Sequence, residues 1–263
     1  MNLLLVLSLI SLDSRPAFLA VPSFSRATAL GGAYSAAGTD AVSLFYNPAA
    51  ADQDALQFAL TDWLTGTRVA AGAGALGIRN VGNVEAGMKY LSYGTMSRWD
   101  EAGNYLGDFS AYDLQAKVGF RRSVASFLSV GAGLGLLDEK VDSTSLTAVT
   151  GDIGARFDWR WLAVGIAARD FTGTRTPFAK ALAFSATPVD WLLLTTELEY
   201  VADLKVRAGA EVHWSQFALR GGYDGANPVA GFGLNVGRAS VDYAVVFHSK
   251  LGLVHQLTVG VFR

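Results

Sequence analysis

Lys205 to Trp214 reads KVRAGAEVHW, and its residues sort into two faces. Lys205, Arg207, Glu211 and His213 share one side of an extended chain, while Val206, Ala208, Ala210, Val212 and Trp214 share the other. Successive side chains of a strand point to opposite sides, so period two gives one wet face and one apolar face. The pattern recurs on either side. DWLLLTTELEY at 190–200 sets Leu192, Leu194, Leu198 and Tyr200 against Thr195, Glu197 and Glu199. YDLQAKVGFR at 112–121 places Asp113, Gln115, Lys117 and Arg121 together, and 240–248 separates Val241, Tyr243, Val245 and Phe247 from Asp242 and His248. In a membrane barrel the apolar face meets lipid and the polar face meets the lumen.

Composition agrees. Hydrophobic residues make up 51% of the 263-residue chain and charged residues only 17%, which is apolar for a water-soluble domain. No run reaches the roughly 20 apolar residues of a helical span. Apolar content without apolar runs is what a barrel produces, and strands of about ten residues, from 54–63 through to 253–262, give about 14 strands. The segments at 145–158 and 216–237 can be divided differently, which leaves the count open by two strands. The longest connection is expected at Gly94 to Gly107. An even count puts both chain ends on one side.

The tryptophans at 63, 99, 159, 161, 191 and 214 fall near strand ends, where an interfacial girdle places them. The alternative is a soluble β-sandwich with tryptophans in its core. If Val201 to Asp203 form a hairpin loop, Glu199 faces Lys205 and Glu197 faces Arg207 on the lumen side. These residues either pair or stand as independent solvated charges worth at most about 1 kcal/mol per pair. Further lumen charges are expected at Glu85, Lys89, Lys117, Arg121, Asp152, Arg156, Glu211, Arg220, Asp224 and Asp242. Their signs nearly balance, which suits a braced and plugged barrel better than an ion-selective pore.

Ahead of the strands, RATALGGAYSAAGTDAVSLFYNPAA at 26–50 does not alternate. Gly31-Gly32 permits backbone geometry that other residues resist, and Pro48 removes a donor, so neither half suits a sheet interior. The segment reads as a plug. Earlier still, MNLLLVLSLISL has the length of a signal-peptide h-region, although it lacks a leading Lys or Arg; a buried helix or strand is the alternative. The expected division is a signal peptide at 1–16, a plug or hatch at 17–53 and a transmembrane β-barrel at 54–263.

Arg26, GGAY at 31–34, Asp40 and YNPA at 46–49, with LRGGYD at 219–224, GFGLNVG at 231–237, VDYAVVF at 241–247 and LGLVHQLTVGVF at 251–262, resemble the PorV/PorQ family. That family is related to the FadL-type outer-membrane barrels. The resemblance implies a bacterial outer-membrane protein and a gating or plugging role for Asn47, Pro48 and Ala49, with a simple structural turn as the alternative. Arg26, Gly31, Gly32, Asp40 and Tyr46 would support the plug. Two roles follow from it: passage of hydrophobic compounds, as in FadL-like channels, or a non-transporting accessory role in type IX secretion or another envelope complex. A structural barrel with neither role is the third reading. The expected partners are outer-membrane lipid and either a hydrophobic small molecule or a secretion-system protein.

Other chemistry has little support. There are no cysteines and three histidines, and the net charge of −2 with no basic patch argues against a nucleic-acid partner. G-x-S-x-G, HExxH and P-loop patterns are absent. GAGALG at 72–77 sits in a strand-like run with no helix after it. Asp242, His248, Ser249 and His255 are the one constellation that strand pairing could assemble. No enzyme activity, cofactor or metal is expected.

Overall fold

The structure, a computed structural model, describes residues 17–171, 178–249 and 252–263. The segment expected to be a signal peptide, 1–16, lies outside the described residues. Fourteen antiparallel strands close into a barrel. They are β1 (Ala55–Asp62), β2 (Arg68–Ile78), β3 (Gly82–Trp99), β4 (Tyr105–Ala125), β5 (Leu128–Val141), β6 (Thr144–Trp159) and β7 (Leu162–Phe171). The ring continues with β8 (Ala179–Val189), β9 (Leu192–Tyr200), β10 (Leu204–Trp214), β11 (Phe217–Tyr223), β12 (Pro228–Val236), β13 (Ala239–His248) and β14 (Gly252–Phe262). Each strand pairs with its neighbours in sequence, and β1 closes on β14 with Ala55 opposite Phe262. Both strand termini therefore lie at one end, the near end, where the connections are tight turns.

The two faces separate as the alternation requires. Val206 and Trp214 of β10 point outward at 51% and 78% exposure, while Glu211 of the same strand is fully buried. Outward residues around the ring are Leu, Val, Ile and Phe, a surface that water would not tolerate over such an area but lipid does. Trp159, Trp161, Trp191 and Trp214 crowd the near end with their rings exposed, the expected interfacial belt. Trp63 departs from it. It turns inward, packing beside Val69 and Leu91 on one side and beside Val229 and Val246 on the other.

The expected loop at 94–107 is mostly strand. β3 and β4 run to Trp99 and from Tyr105, leaving a turn at 100–104. Alternation is interrupted there by register shifts at Ser92/Thr95 and Arg98/Trp99, with Gly94 in the left-handed region at φ 74°. Cross-strand contacts maintain the pairing beyond the bulges: Ser97 Oγ donates to Asp108 at 2.8 Å, and the Trp99 and Tyr105 rings meet edge to face at 5.4 Å. With β5 and β6 also long, one wall rises past the rest at the far end.

Residues 17–53 form no strand. A 3₁₀ turn at Ala17–Ala20, the short helix α1 (Ser25–Ala29) and a 3₁₀ turn at Ala41–Phe45 are joined by irregular chain. Ala27, Ala33, Tyr34, Ala36, Asn47 and Ala49 have no exposed surface. α1 packs on β11 to β14 and the second turn on β1 to β4, so the segment contacts widely separated parts of the ring.

Candidate functional site

Gly31 and Gly32, at φ 70° and 74°, turn the chain out of α1 through left-handed backbone that any other residue would strain. A Cβ on Gly31 would sit 2.3 Å from the Tyr223 carbonyl oxygen. Arg26, one turn earlier, reaches β10 and donates from Nε and Nη2 to Glu211 at 2.9 Å each. Two parallel bonds of this kind fix orientation as well as charge. Glu211 also accepts from Arg220 and contacts His213 Nε2 at 2.7 Å, and Arg220 continues to Asp242 at 2.6 Å. A buried charge network thus links α1 to β10, β11 and β13.

Asp40 is buried and caps the turn at Ala41–Phe45, accepting from the Val42 amide at 3.1 Å. Its other oxygen accepts from the Tyr34 hydroxyl at 2.8 Å and from Gln57 Nε2 at 3.4 Å, and Arg26 approaches to 3.9 Å. Burial raises the Asp40 carboxyl above the usual carboxylate range, and Arg26 pulls it partly back. Tyr46 packs edge-on against Tyr34 at 5.3 Å; burial pushes its hydroxyl up to about 12.

Asn47, Pro48 and Ala49 are fastened to the wall by several independent contacts. Asn47 Nδ2 donates to the Ser35 carbonyl at 2.9 Å and the Ala155 carbonyl of β6 at 3.1 Å. Its Oδ1 accepts from the Ala49 amide at 3.0 Å. Arg121 of β4 donates to the Ala49 carbonyl at 3.0 Å. Glycines in the wall make the fit possible: a Cβ at Gly131 would fall 2.1 Å from the Pro48 oxygen, and one at Gly154 would fall 2.0 Å from Asn47 Oδ1.

The hairpin register puts Lys205 opposite Glu199 and Arg207 opposite Glu197, as the sequence requires. The ion pairs differ. Glu199 is held by Arg207 at 2.7 Å and by Arg169 of β7, while Lys205 remains exposed and forms no ion pair among the described residues. Arg207 stands 3.9 Å from Glu197, whose carboxylate accepts from the Tyr34 and Ser35 amides at 3.1 and 3.0 Å.

Arg169 and Asp170 were not expected in the lumen. They are consecutive, so alternation sends one outward, yet both are buried. A register shift in the β6–β7 ladder at Gly151/Ile153 and a left-handed Asp170 at φ 56° turn both inward, where Lys117 binds Asp152 at 2.6 Å and Asp170 at 2.7 Å. Asp242 and His255 are not brought together: Asp242 faces inward to Arg220, and His255 meets the Tyr243 hydroxyl at 2.6 Å on the exposed face. No metal-holding cluster of His, Cys, Asp or Glu occurs among the described residues.

Two cavities adjoin the segment. The far-end cavity, of about 220 Å³, has Phe24, Phe45, Tyr46, Trp63, Val229 and Val246 among its walls. The near-end cavity, of about 260 Å³, is bordered by Arg26, Ala36, Arg156, Asp158, Trp161 and His213.

The chain shares its fold with the CymD monoaromatic hydrocarbon channel (TM-score 0.65, 12% identity, 92% of this chain and 98% of that one). It is also similar to the Pseudomonas putida toluene transporter TodX (0.64, 12%, 90% and 96%) and to a Pseudomonas aeruginosa FadL homologue (0.63, 13%, 92% and 98%). No family model and no curated protein matches the chain.

Proposed function

We propose that this chain is an outer-membrane channel for a small hydrophobic compound, in which residues 17–53 plug the barrel and Asn47, Pro48 and Ala49 form its hatch. The carrying observation is the far-end cavity, which lies between that segment and the wall and has aromatic and aliphatic surfaces on both sides. Ligand sites are concave and mostly apolar, with a few placed polar groups. A lumen filled solidly by the segment would offer a hydrophobic molecule nothing. The apolar outer face and tryptophan belt support the membrane address, and a signal peptide at 1–16 would supply the export. The proposed division places the plug at 17–53 and the barrel at 54–263.

A second reading follows the PorV/PorQ resemblance: an accessory barrel of type IX secretion that docks a protein and transports nothing. The Arg26–Glu211–Arg220–Asp242 network favours it, because it braces the segment against movement. The test is mass spectrometry of whatever co-purifies from native membranes in mild detergent. A stoichiometric small hydrophobic molecule, lost in Val229→Trp, which fills the cavity, is the expected result. A stoichiometric protein with no such molecule would replace the channel reading with the accessory one.

A further inference from the structure

The outer wall of the barrel dips on the face of β6 to β10, where an open groove of about 660 Å³ lies outside the lumen. Outward positions alternate in size there. Ala155 lies opposite Ile166, and Ala168 lies between Ile153 and Lys180. The two alanines stop at Cβ while the isoleucines beside them stand up from the wall, and Leu182 and Leu198 border the other side. A flat front of lipid would leave this floor without neighbours and lose its dispersion contacts. An acyl chain laid into the groove restores them.

The charged residue of this lining is Lys180. On a lipid-facing surface a lysine is costly at mid-depth and nearly free at the interface. Lys180 is the second residue of β8, and Tyr200 opposite it is the last of β9, so both stand at the far rim. Tight turns and both strand termini mark the near end as the periplasmic one, which sets Lys180 at the level of the outer-leaflet headgroups. Its Nζ lies over the Phe178 and Tyr200 rings, 4.8 and 5.7 Å from their centroids. The rings attract the ammonium and hold it at the end of the groove, but carry no net charge to neutralise it. An anionic headgroup does so, with its acyl chain directly below in the groove.

We propose that the groove on β6 to β10 is a site for one anionic membrane lipid, its headgroup on Lys180 and an acyl chain against Ala155 and Ala168. The site uses no lumen residue, so it holds or fails separately from the channel reading above. Native mass spectrometry tests it, with the full chain released from nanodiscs of equal phosphatidylglycerol and phosphatidylcholine bearing the same acyl chains. Expected is one retained phosphatidylglycerol, favoured about fivefold over phosphatidylcholine, the attraction of one lysine at a membrane surface. Lys180→Gln should bring the two lipids to parity. Arg68→Gln, which removes an exposed cation at the far end of β2 across the ring, should leave the preference intact. Ala168→Leu fills the floor with a side chain that a lipid-facing position tolerates, and should lower lipid retention while the far-ultraviolet signal of the barrel is unchanged. Equal retention of both lipids by the native chain, or the same loss in Arg68→Gln as in Lys180→Gln, would reduce Lys180 to one charge of the rim and overturn the site. Unchanged retention in Ala168→Leu would remove the groove as its seat.

Discussion

Asn47 occupies space that Gly154 leaves. Gly154→Ala would put a methyl group 2.0 Å from Asn47 Oδ1, so Asn47 must give up its bonds to Ser35 and Ala155. An overpacked contact of this kind costs about 1–3 kcal/mol; here the loss should appear as protease cleavage within 45–53 while the far-ultraviolet signal of the barrel is retained. Asp40 makes a pH-dependent prediction. Its carboxyl titrates higher in the docked segment than in water, so docking binds the proton more tightly. The resulting stabilisation is fully present below the ordinary carboxylate range and is lost as pH rises through the docked value. Hydrogen exchange at 41–47, corrected for intrinsic rates, should show protection falling over that window in the native chain and flat in Asp40→Asn. These partners were not legible in the sequence. The inward face of Glu211 was, but Arg26 lies 185 residues away from it, and alternation alone does not choose among several inward glutamates.

At the level of elements, the alternation of period two located every strand, because lipid on one side and lumen on the other penalise a slip of one residue at every position. It failed where the backbone breaks its own period. Asp170 should face lipid by counting, and the bulge at Gly151/Ile153 turns it in; Gly151 stands at that bulge, but Gly154 of the same strand stands at none, so glycine alone does not announce it. A tryptophan at a strand end suggests an interfacial position, but Trp63 packs inward because the connection after β1 folds over the lumen. Gly94 and Gly107 make the 94–107 stretch of the β3–β4 hairpin read as a loop, although both sit beside register shifts with positive φ, at 74° and 110°. Since the raised part of this hairpin contributes nothing to the cavity lining, replacing 96–106 by a short turn should leave the stoichiometry of the co-purifying small hydrophobic molecule within about twofold and the barrel folded. A larger change would show that the raised wall controls access to the cavity.

Over the whole molecule, the segment is held by charge from the β10–β13 side and by close packing from the β4–β6 side. Removing one member of a buried ionic group strands the others. Arg26→Met leaves Glu211 with Arg220 and His213 still in contact, so the cost should be about 1–3 kcal/mol in the urea unfolding of the segment, below the full penalty of an abandoned charge. Combined with Glu211→Gln the losses should be strongly non-additive, which a double-mutant cycle will read directly. Additive losses would mean that the two residues act separately and that the brace is not one unit. The outer belt and closed ring were legible from composition because lipid imposes the same requirement on all strands. The arrangement inside the ring was not, since each contact there is specific to two residues far apart in sequence.

The wall glycines opposite the Asn-Pro-Ala turn carry a genetic consequence. Gly131 and Gly154 are not required by any left-handed backbone of their own; each is small because a residue more than 80 positions earlier lies against it. Selection on these wall positions is then exerted by the segment, and tolerance at one is conditional on the identity of the other. A revertant screen starting from Gly154→Ala should recover second-site changes at Asn47 to smaller residues, linking two parts of the chain that share no strand and no sequence pattern.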